Sequence, residues 1–380
     1  MRYIGIIILL VLCLNLLLLT GCMINTITPE TVYPQQWATG DGTAENPWAN
    51  DCIQKAYDFV PAGGTIYLRA GYYQLAGALD IEKQVNIIGE GMGKTIIKTA
   101  NANGFLIDEA DHASIKNLTV DGDAQTDGQM YLAPIEIDNS NYVLLEDIEV
   151  KNAGYYGISV YQDNYCIFQN FYAHDNWKHG FAPSSNMAGK NKYNTYRDIY
   201  AWNNGECGFK DRGISDGSDP PEDSYNLFDN IQCWDNDEHG IFIASQKSGV
   251  LSNSSARGNG RIGILLSTLT NFNVHDCSTT LSEEEGLYVT DSENVNFTNI
   301  IVKNNYTGII IENCSNITLT TCQSYDDRES PLQDFGIELD GTNTEISLLN
   351  CKLTPNKQGD IYNPNGVAVE VITEKMLAKF

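Results

Sequence analysis

Two basic residues in the segment Gly208-Phe-Lys-Asp-Arg, Lys210 and Arg212, could carry proton-transfer chemistry. A lysine can serve as a general base, and an arginine can hold a carboxylate with parallel N–H groups. Removal of the C5 proton of a uronate sugar requires a base, and it requires calcium or an arginine to neutralise the sugar carboxylate. The residues that could supply the accompanying acid are Tyr156, Tyr161 and His179. Alternatively, Lys210 and Arg212 are a solvated surface pair.

The charge of the chain is reversed around these residues. The 380 residues carry a formal net charge of −26, yet residues 178–212 contain six basic side chains and three acidic ones. Nucleic-acid binding requires a basic surface, so the overall charge argues against a nucleic-acid partner. The local reversal instead favours an acidic polysaccharide. The further residues predicted to contact it are Glu136, Asp138, Trp177, Lys178, Trp202, Trp234 and His239.

Several of these residues also have a purely structural explanation. The three tryptophans recur at one predicted coil position, where they could stack on sugar rings or form a packing ladder. His179 and His239 each precede a glycine and could be stacked turn residues. Glu136 and Asp138 would lie about 7 Å apart on one strand. That separation suits the paired carboxylates of an inverting hydrolase.

The candidate residues belong to a series of short segments of the form Gly, apolar, any residue, apolar. Five of the ten steps between segments are 22 or 23 residues, and the others are 28 to 32. The apolar period of two predicts strands whose first and third residues point inward and whose second and fourth point outward. A base step with insertions predicts a solenoid. The segments begin at Gly104, Pro134, Gly157, Gly180, Gly208, Gly240, Gly263, Gly286, Gly308, Gly336 and Gly366.

An Asn or Asp recurs at one place in a second series of strands. Examples are Asn117, Asp147, Asn170, Asp198 and Asn230. In stacked coils these residues would lie about 4.8 Å apart, so that their amides could pair along the stack. Together the two series predict an all-β protein, a single-stranded parallel β-helix of about eleven coils.

This pattern resembles the right-handed parallel β-helix of the pectate-lyase-like superfamily, which implies that fold for most of the chain. Residues 37–100, with a short helix between Asn50 and Val60, resemble the N-terminal cap of mannuronan C5-epimerases. The predicted divisions are an export signal at 1–22, a tether at 23–36, the cap and first coils at 37–100, the β-helix at 101–370 and a C-terminal cap at 371–380.

The sequence from Gly154 to Leu266 also resembles mannuronan C5-epimerases, whose coils repeat the pattern A-x-x-N-x-x-x-G-F. The catalytic strand of that family reads Tyr-Gly-Phe-Asp-Pro-His, and the matching positions here are Tyr156-Gly-Ile-Ser159-Val-Tyr161. The first tyrosine is retained, whereas serine and tyrosine replace the aspartate and the histidine. The resemblance therefore implies the scaffold of an epimerase without its catalytic signature.

The segment Gly208-Phe-Lys210 resembles a Gly-Phe-Lys strand of family 9 pectate lyases, in which the lysine is the base. Those enzymes also use an aspartate cluster for calcium, so the resemblance implies Ca²⁺ as a cofactor. The nearby acids that could bind it are Asp229, Asp235, Asp237 and Glu238.

The first 22 residues resemble a bacterial lipoprotein signal. Arg2 precedes an apolar run that ends in Leu19-Thr-Gly-Cys22. Cleavage before Cys22 would leave a lipidated N-terminus, which predicts a secreted protein anchored at the outer face of a membrane of the cell envelope. The eight cysteines that follow match no zinc spacing and are expected to be core thiols, although a disulfide between Cys322 and Cys351 is an alternative.

Two functions fit these features. The first is a lipid-anchored β-helix that acts on an acidic polysaccharide, by β-elimination as a polysaccharide lyase does or by uronate epimerisation. The second is a non-catalytic cell-surface protein that binds carbohydrate or has a structural role. Formation of an unsaturated sugar from a polyuronate would distinguish the lyase from the binding protein.

Overall fold

The computed structural model describes residues 31–49, 51–99, 103–122, 133–184, 191–213 and 224–372. These residues form a solenoid of parallel strands around a continuous apolar core, which confirms the predicted β-helix. The export signal, the lipidation site at Cys22 and residues 373–380 lie outside the described residues. No helix within the described ranges is long and apolar enough to cross a membrane.

Twelve strands, one from each coil, pair into a parallel sheet that we call the front sheet. Side chains alternate as predicted: Ile135 and Ile137 are buried, whereas Glu136 and Asp138 are partly exposed. The outward side chains of successive strands form columns with a spacing of about 4.8 Å. The strands are Leu79–Ile81, Phe105–Asp108, Ile135–Asp138, Ile158–Tyr161, Phe181–Ser184, Phe209–Asp211, Ile241–Ala244, Ile264–Ser267, Glu285–Thr290, Thr307–Glu312, Phe335–Asp340 and Gly359–Tyr362.

A second sheet of twenty strands, which we call the back sheet, closes each coil. The strands are Thr31–Val32, Thr65–Leu68, Gly71–Gln74, Asn86–Gly89, Thr95–Lys98, Ser114–Asp121, Leu144–Lys151, Ile167–His174, Thr195–Trp202, Leu227–Trp234, Val250–Ser252, Ser255–Arg257, Thr270–His275, Ser278–Thr280, Glu293–Thr298, Ile301–Lys303, Ser315–Thr320, Gln323–Tyr325, Thr344–Leu349 and Val369–Ile372. The recurring Asn and Asp residues bend these strands, with positive φ at Asp147 and Asn170. Asn170 Nδ2 donates to Asp147 Oδ1 at 2.5 Å, so the predicted pairing along the stack occurs.

The N-terminal end of the solenoid is covered by a short α-helix, Cys52–Phe59, which buries one face on the core. Asp51 precedes this helix at the N-cap position, whereas the predicted cap Asn50 lies outside the described residues. A 3₁₀ turn, Pro34–Trp37, packs beside the helix. The strand Thr31–Val32 joins the back sheet, so the end of the predicted tether belongs to the folded cap.

A ladder of buried asparagines explains why glycine begins the front strands. Asn176, Asn204, Asn236 and Asn259 stack in consecutive coils, and each of the first three donates through Nδ2 to the Oδ1 of the next at 2.9–3.0 Å. A Cβ on Gly180 would lie 2.9 Å from Asn204 Nδ2 and 2.7 Å from a carbonyl oxygen of the next coil. Glycine is therefore required here by close packing rather than by an unusual φ.

The predicted position of the last front strand is wrong. The strand that follows Phe335–Asp340 in the front sheet is Gly359–Tyr362, and the segment at Gly366 does not take part. Gly366 has a φ of 64° and follows a turn that leads to Val369–Ile372 in the back sheet. Phe335 pairs with Gly359 and Ile337 with Ile361, so the step to the last front strand is 24 residues (359 − 335 = 24).

One turn position beside the back sheet has a left-handed backbone in ten coils, with φ between 51° and 62°. The residues in this column are His112, Tyr142, Tyr165, Tyr193, Tyr225, Ser248, Asn271, Asn294, Asn316 and Glu345. Asn tolerates this conformation, whereas a bulky side chain in it costs about 1–2 kcal/mol. Stacking between tyrosine rings contributes about 0.5–1.5 kcal/mol per pair. The energy gained by stacking at this position is therefore at most equal to the energy lost to backbone strain.

Candidate active site

A hollow opens on the outward face of the front sheet, in the coils that carry the predicted catalytic residues. Its lining residues are Tyr156, Ser159, His179, Ala182, Pro183, Ser184, Lys210 and Arg212. The structure thus brings together four predicted catalytic residues that come from three coils. The fifth, Tyr161, is not among the residues that line the hollow. Residues 185–190 and 214–223, which follow two of the front strands in the chain, lie outside the described residues.

Small residues make the floor of the hollow. Ser159 lies beside Ala182 in the front sheet, and the pairing of Phe181 with Phe209 places Lys210 on the other side of Ala182. Lys210 is therefore two coils, or about 10 Å, from Ser159. The hollow exists because serine and alanine leave space at outward positions between the wall at Tyr156 and the lysine.

Arg212 is held in place by its neighbours in the chain and in the previous coil. Its backbone N–H donates to the carbonyl oxygen of Pro183 at 3.1 Å. Asp211 points into the core, where its carboxylate accepts N–H groups from Gly213 at 2.6 Å and from Asn191 at 3.1 Å. Burial raises the pKa of Asp211 to about 7. This support for Arg212 was not predicted from the sequence. The feature that could have indicated it is an acidic residue at an inward position of a strand.

The two cations of the hollow are available to an anionic ligand. Among the described residues, no carboxylate oxygen lies within 4.0 Å of Lys210 or Arg212. The Nζ atom of Lys210 lies 5.6 Å from the centre of the Phe242 ring. Lys178, in contrast, forms an ion pair with Glu206 at 2.7 Å. Lys178 is therefore already neutralised, whereas Lys210 and Arg212 are not.

Tyr156 forms one wall of the hollow. Its ring stacks on the imidazole of His179, with ring centres 5.0 Å apart and planes 8° apart. Burial, together with the neighbouring Tyr155, holds the pKa of the Tyr156 phenol above its usual range. The phenol therefore stays protonated at neutral pH and can donate a proton or a hydrogen bond to a ligand.

His179, one of the residues predicted as the acid, contacts the next coil through both ring nitrogens. Its Nδ1 atom accepts the backbone N–H of Cys207 at 3.2 Å, and its Nε2 atom lies 3.3 Å from Glu206 Oε2. This arrangement selects the neutral tautomer with the proton on Nε2. Burial and the charge of Lys210 lower the pKa of His179 to about 2. An imidazolium that could donate a proton is therefore not present at neutral pH.

His239 occupies the equivalent turn position two coils further on and does not line the hollow. Its Nδ1 atom accepts the backbone N–H of Ile262 at 3.3 Å. Burial lowers the pKa of His239 to about 4, and the ring meets that of Phe242 edge to face. These contacts favour the interpretation of His239 as a turn residue.

Glu136 and Asp138 lie outside the hollow, one coil before its first front strand. Asn103 Nδ2 donates to Glu136 at 2.9 Å, while burial and the nearby charge of Asp138 raise the pKa of Glu136. Glu136 is in the same outward column as Lys210 but three coils away, or about 14 Å. Tyr161 lies beside Asp138 on the next strand. None of these three residues is among those that line the hollow.

The three tryptophans do not form one column, contrary to the prediction. Trp202 stacks on Trp234 at 4.9 Å and on His174 at 4.2 Å, on the outward side of the back sheet. His174, not Trp177, is the residue in register with Trp202. Trp177 lies beyond the end of that strand, is 44% exposed and stacks on Tyr155. It is therefore close to Tyr156, whereas the other two tryptophans lie on the back sheet.

The acids predicted to bind calcium are not assembled into a metal centre. Within the described ranges, no group of three or more His, Cys, Asp or Glu residues could hold a metal ion. Asp229 lies on the back sheet, where it accepts the Ser252 hydroxyl at 2.8 Å and the Asn253 amide at 2.7 Å. The acids in the turn that follows this strand are Asp235, Asp237 and Glu238. Among the described residues, these four acids are therefore not gathered at one point.

Two family models match the chain. A model described as a Pel9A-like, right-handed beta helix region matches residues 31–267, a span that includes the hollow, and one described as a right-handed beta helix region matches residues 221–374. The chain belongs to the Pel9A-like right-handed β-helix family. This membership agrees with the hand and the fold expected from the sequence resemblance.

Curated relatives of this Pel9A-like protein include two enzymes of Azotobacter vinelandii. It is 28% identical to the mannuronan C5-epimerase AlgE3 over 255 residues, which are 60% of this chain and 12% of that protein. It is 30% identical to alginate lyase 7 over 200 residues, which are 45% of this chain and 22% of that protein. The Pel9A-like chain thus spans less than a quarter of the length of either relative.

Solved structures show the same architecture. The A-module of the Azotobacter vinelandii mannuronan C-5 epimerase AlgE4 matches with a TM-score of 0.70 and 19% identity, and the match covers 90% of this chain and 100% of that module. At this identity the match establishes the β-helix fold of the Pel9A-like chain and nothing about its reaction.

Proposed function

We propose that this protein binds an acidic polysaccharide along the front sheet and cleaves it by β-elimination, with Lys210 as the base. The observation that carries the proposal is the hollow itself, where Lys210 and Arg212 lie without a carboxylate partner among the described residues, opposite a protonated Tyr156. The similarity to mannuronan epimerases and to an alginate lyase supports a polyuronate as the ligand. Secretion and lipid anchoring through Cys22 are part of the same proposal.

The proposed reaction assigns one role to each side chain. Arg212 binds the uronate carboxylate and stabilises the charge that develops when C5 loses its proton. The Lys210 amine, which must first release its own proton to water, takes the C5 proton, the C4–O4 bond breaks, and a C4–C5 double bond forms. The departing O4 takes a proton from the Tyr156 hydroxyl. Lys210 then carries the proton taken from C5. Return of one proton to the Tyr156 phenolate restores the protonation state of that side chain.

The experiment must also distinguish two alternative functions, epimerisation and binding without catalysis. Epimerisation shares the first step, since the carbanion at C5 is reprotonated from the opposite face instead of losing O4. A non-catalytic binding protein is favoured by one observation, the presence of Ser159 and Tyr161 where the epimerase strand has its aspartate and histidine. The three possibilities give different products: an unsaturated sugar, a C5 epimer or unchanged polymer.

The first experiment incubates the protein without residues 1–22 with polymannuronate, polyguluronate and polygalacturonate, and follows absorbance in the band of unsaturated uronates. Parallel reactions contain calcium or a chelator, because a calcium requirement remains a proposal. We expect product with at least one polymer, and a loss of about 10²-fold or more in Lys210→Ala, as is typical for removal of a general base.

Lys303→Ala is the matched control, since Lys303 is paired with Asp327 at 2.8 Å on a later coil of the back sheet. This variant should cleave at the wild-type rate. Equal rates for Lys210→Ala and wild type would remove Lys210 from the mechanism. Absence of both an unsaturated product and a C5 epimer, with retardation of the protein in a polyuronate gel, would establish the binding-protein alternative.

A further inference from the structure

A row of exposed aromatic rings runs along the turns that join front strands to back strands. We call this row the tyrosine ladder: His112, Tyr142, Tyr165, Tyr193 and Tyr225. Neighbouring rings are stacked, with centres 4.7–5.2 Å apart and planes within 11° of each other. The four tyrosines are 44–48% exposed. Because the ring faces cover one another, the edges and hydroxyls are the parts that remain accessible.

The turn does not require aromatic residues. Later coils fill the same position with Ser248, Asn271 and Asn294, small polar residues that suit a left-handed backbone better than a bulky ring. The chain nevertheless places tyrosine there in four consecutive coils. The left-handed backbone is common to all ten coils and so does not itself distinguish these four. The property that explains the ladder is therefore the surface that its side chains create.

The tyrosine ladder extends along the same coils that form the hollow. Tyr165 follows the front strand Ile158–Tyr161 by four residues (165 − 161 = 4). Tyr193 and Tyr225 occupy the turns after the strands that contain Ala182 and Lys210. The next coil has serine at this position. The ladder therefore runs parallel to the solenoid axis, at the carboxyl ends of the strands that bear the hollow, and it ends in the coil of Lys210.

The chemistry of the ladder suits a linear polymer with polar substituents. The edge of an aromatic ring carries partial positive charge, and a phenol hydroxyl can both donate and accept a hydrogen bond. The ladder repeats this unit about every 5 Å along a straight line, and none of its residues is acidic. A chain of sugars with hydroxyl and carboxylate groups at regular intervals can make the same contact repeatedly.

We propose that the tyrosine ladder is a second binding surface for the acidic polysaccharide, beside the hollow. The ladder holds the polymer along the solenoid axis, so that one chain contacts the ladder and the hollow together. The identity of the ligand rests on the proposed function, but the binding does not require cleavage. The expected property is a preference for long polymers over short oligosaccharides, because only a long chain spans both surfaces.

The test measures polyuronate affinity by affinity electrophoresis in a Lys210→Ala background, which keeps the polymer intact. The variant is Tyr165→Asn with Tyr193→Asn, since asparagine occupies the same turn at Asn271. We expect at least a tenfold loss of polymer affinity with no decrease in the thermal unfolding midpoint. Tyr306→Asn is the matched control, because it removes a tyrosine that is 55% exposed on a coil outside the ladder. The control should retain the parent affinity.

Unchanged affinity in the double variant would overturn the proposal, and so would an equal loss in the Tyr306 control or failure of the parent to bind any of the polyuronates. If the double variant is misfolded, Tyr165→Phe with Tyr193→Phe keeps the stack and must still lose affinity several-fold through its hydroxyls. Ladder-dependent binding by a wild-type protein that yields no unsaturated sugar would uphold this proposal and reject β-elimination. Failure of the ladder proposal and failure of the β-elimination proposal therefore give different results.

Discussion

Truncation of Asn204 is expected to destabilise the solenoid beneath the hollow. Its Oδ1 atom accepts the backbone N–H and the Nδ2 group of Asn176 at 3.3 Å and 2.9 Å, and its Nδ2 donates to the Ala173 carbonyl at 3.1 Å and to Asn236 Oδ1 at 2.9 Å. Asn204→Ala removes all four bonds at a buried position and orphans at least two donors. Each buried polar group left unpaired costs about 1–3 kcal/mol, so the free energy of unfolding should fall by about 4 kcal/mol.

Urea unfolding followed by circular dichroism measures this loss. Asn296→Ala is the matched control, because the amide of Asn296 is exposed and donates to Asn273 Oδ1 at 3.2 Å on the solvent side. Its free energy of unfolding should change by less than about 0.5 kcal/mol. A loss below about 1 kcal/mol in Asn204→Ala would refute the reasoning, since it would mean that the coils relax to satisfy the orphaned groups.

Two further predictions test the support of the hollow. Gly180→Ala should be strongly destabilising, because its Cβ would lie 2.7 Å from a backbone oxygen of the next coil; urea unfolding equal to wild type would contradict the packing argument. Asp211 binds its proton more tightly when folded, since burial raises its pKa from 3.8 to about 7. The free energy of unfolding should therefore fall as pH rises from about 4 to about 7. Asp211→Asn should flatten this slope, and parallel pH curves for the two proteins would exclude Asp211 as its cause.

Most of the front sheet could be predicted because two independent physical needs appear in each segment. Alternating apolar residues fill the core, and a residue without Cβ is needed where the coil packs against the asparagine ladder. The last coil shows the limit of this reasoning. Gly366 begins a more apolar segment than Gly359, but the turn before it cannot continue the front sheet. The residue in register with Gly336 is Asp360, so the last front strand lacks the glycine that marks most of the others.

For the residues of the hollow, the strand period predicted only the direction in which each side chain points. A period of two places Lys210 and Arg212 on the outward side, which the structure bears out. The role of His179 depends on Cys207 and Glu206 in the next coil, contacts that no local pattern encodes. The tyrosine ladder was missed for a related reason. Insertions vary the distance between its members, which is 23 residues from Tyr142 to Tyr165 but larger in the next two steps, so the regular column is apparent only after the coils are stacked.

The positions of the two cations indicate how one solenoid can support different reactions. In the coil that matches the epimerase catalytic strand, Ser159 and Tyr161 occupy the outward positions at which that strand has an aspartate and a histidine. The same outward positions two coils further along hold Lys210 and Arg212, about 10 Å away. Every coil presents these positions on the same backbone, so a base can occupy a different coil without altering the fold. Tyr156 lines the space between the two coils. Tyr156, the proposed proton donor, is therefore the residue that this site shares with the epimerase pattern, whereas Lys210, the proposed base, is not part of that pattern.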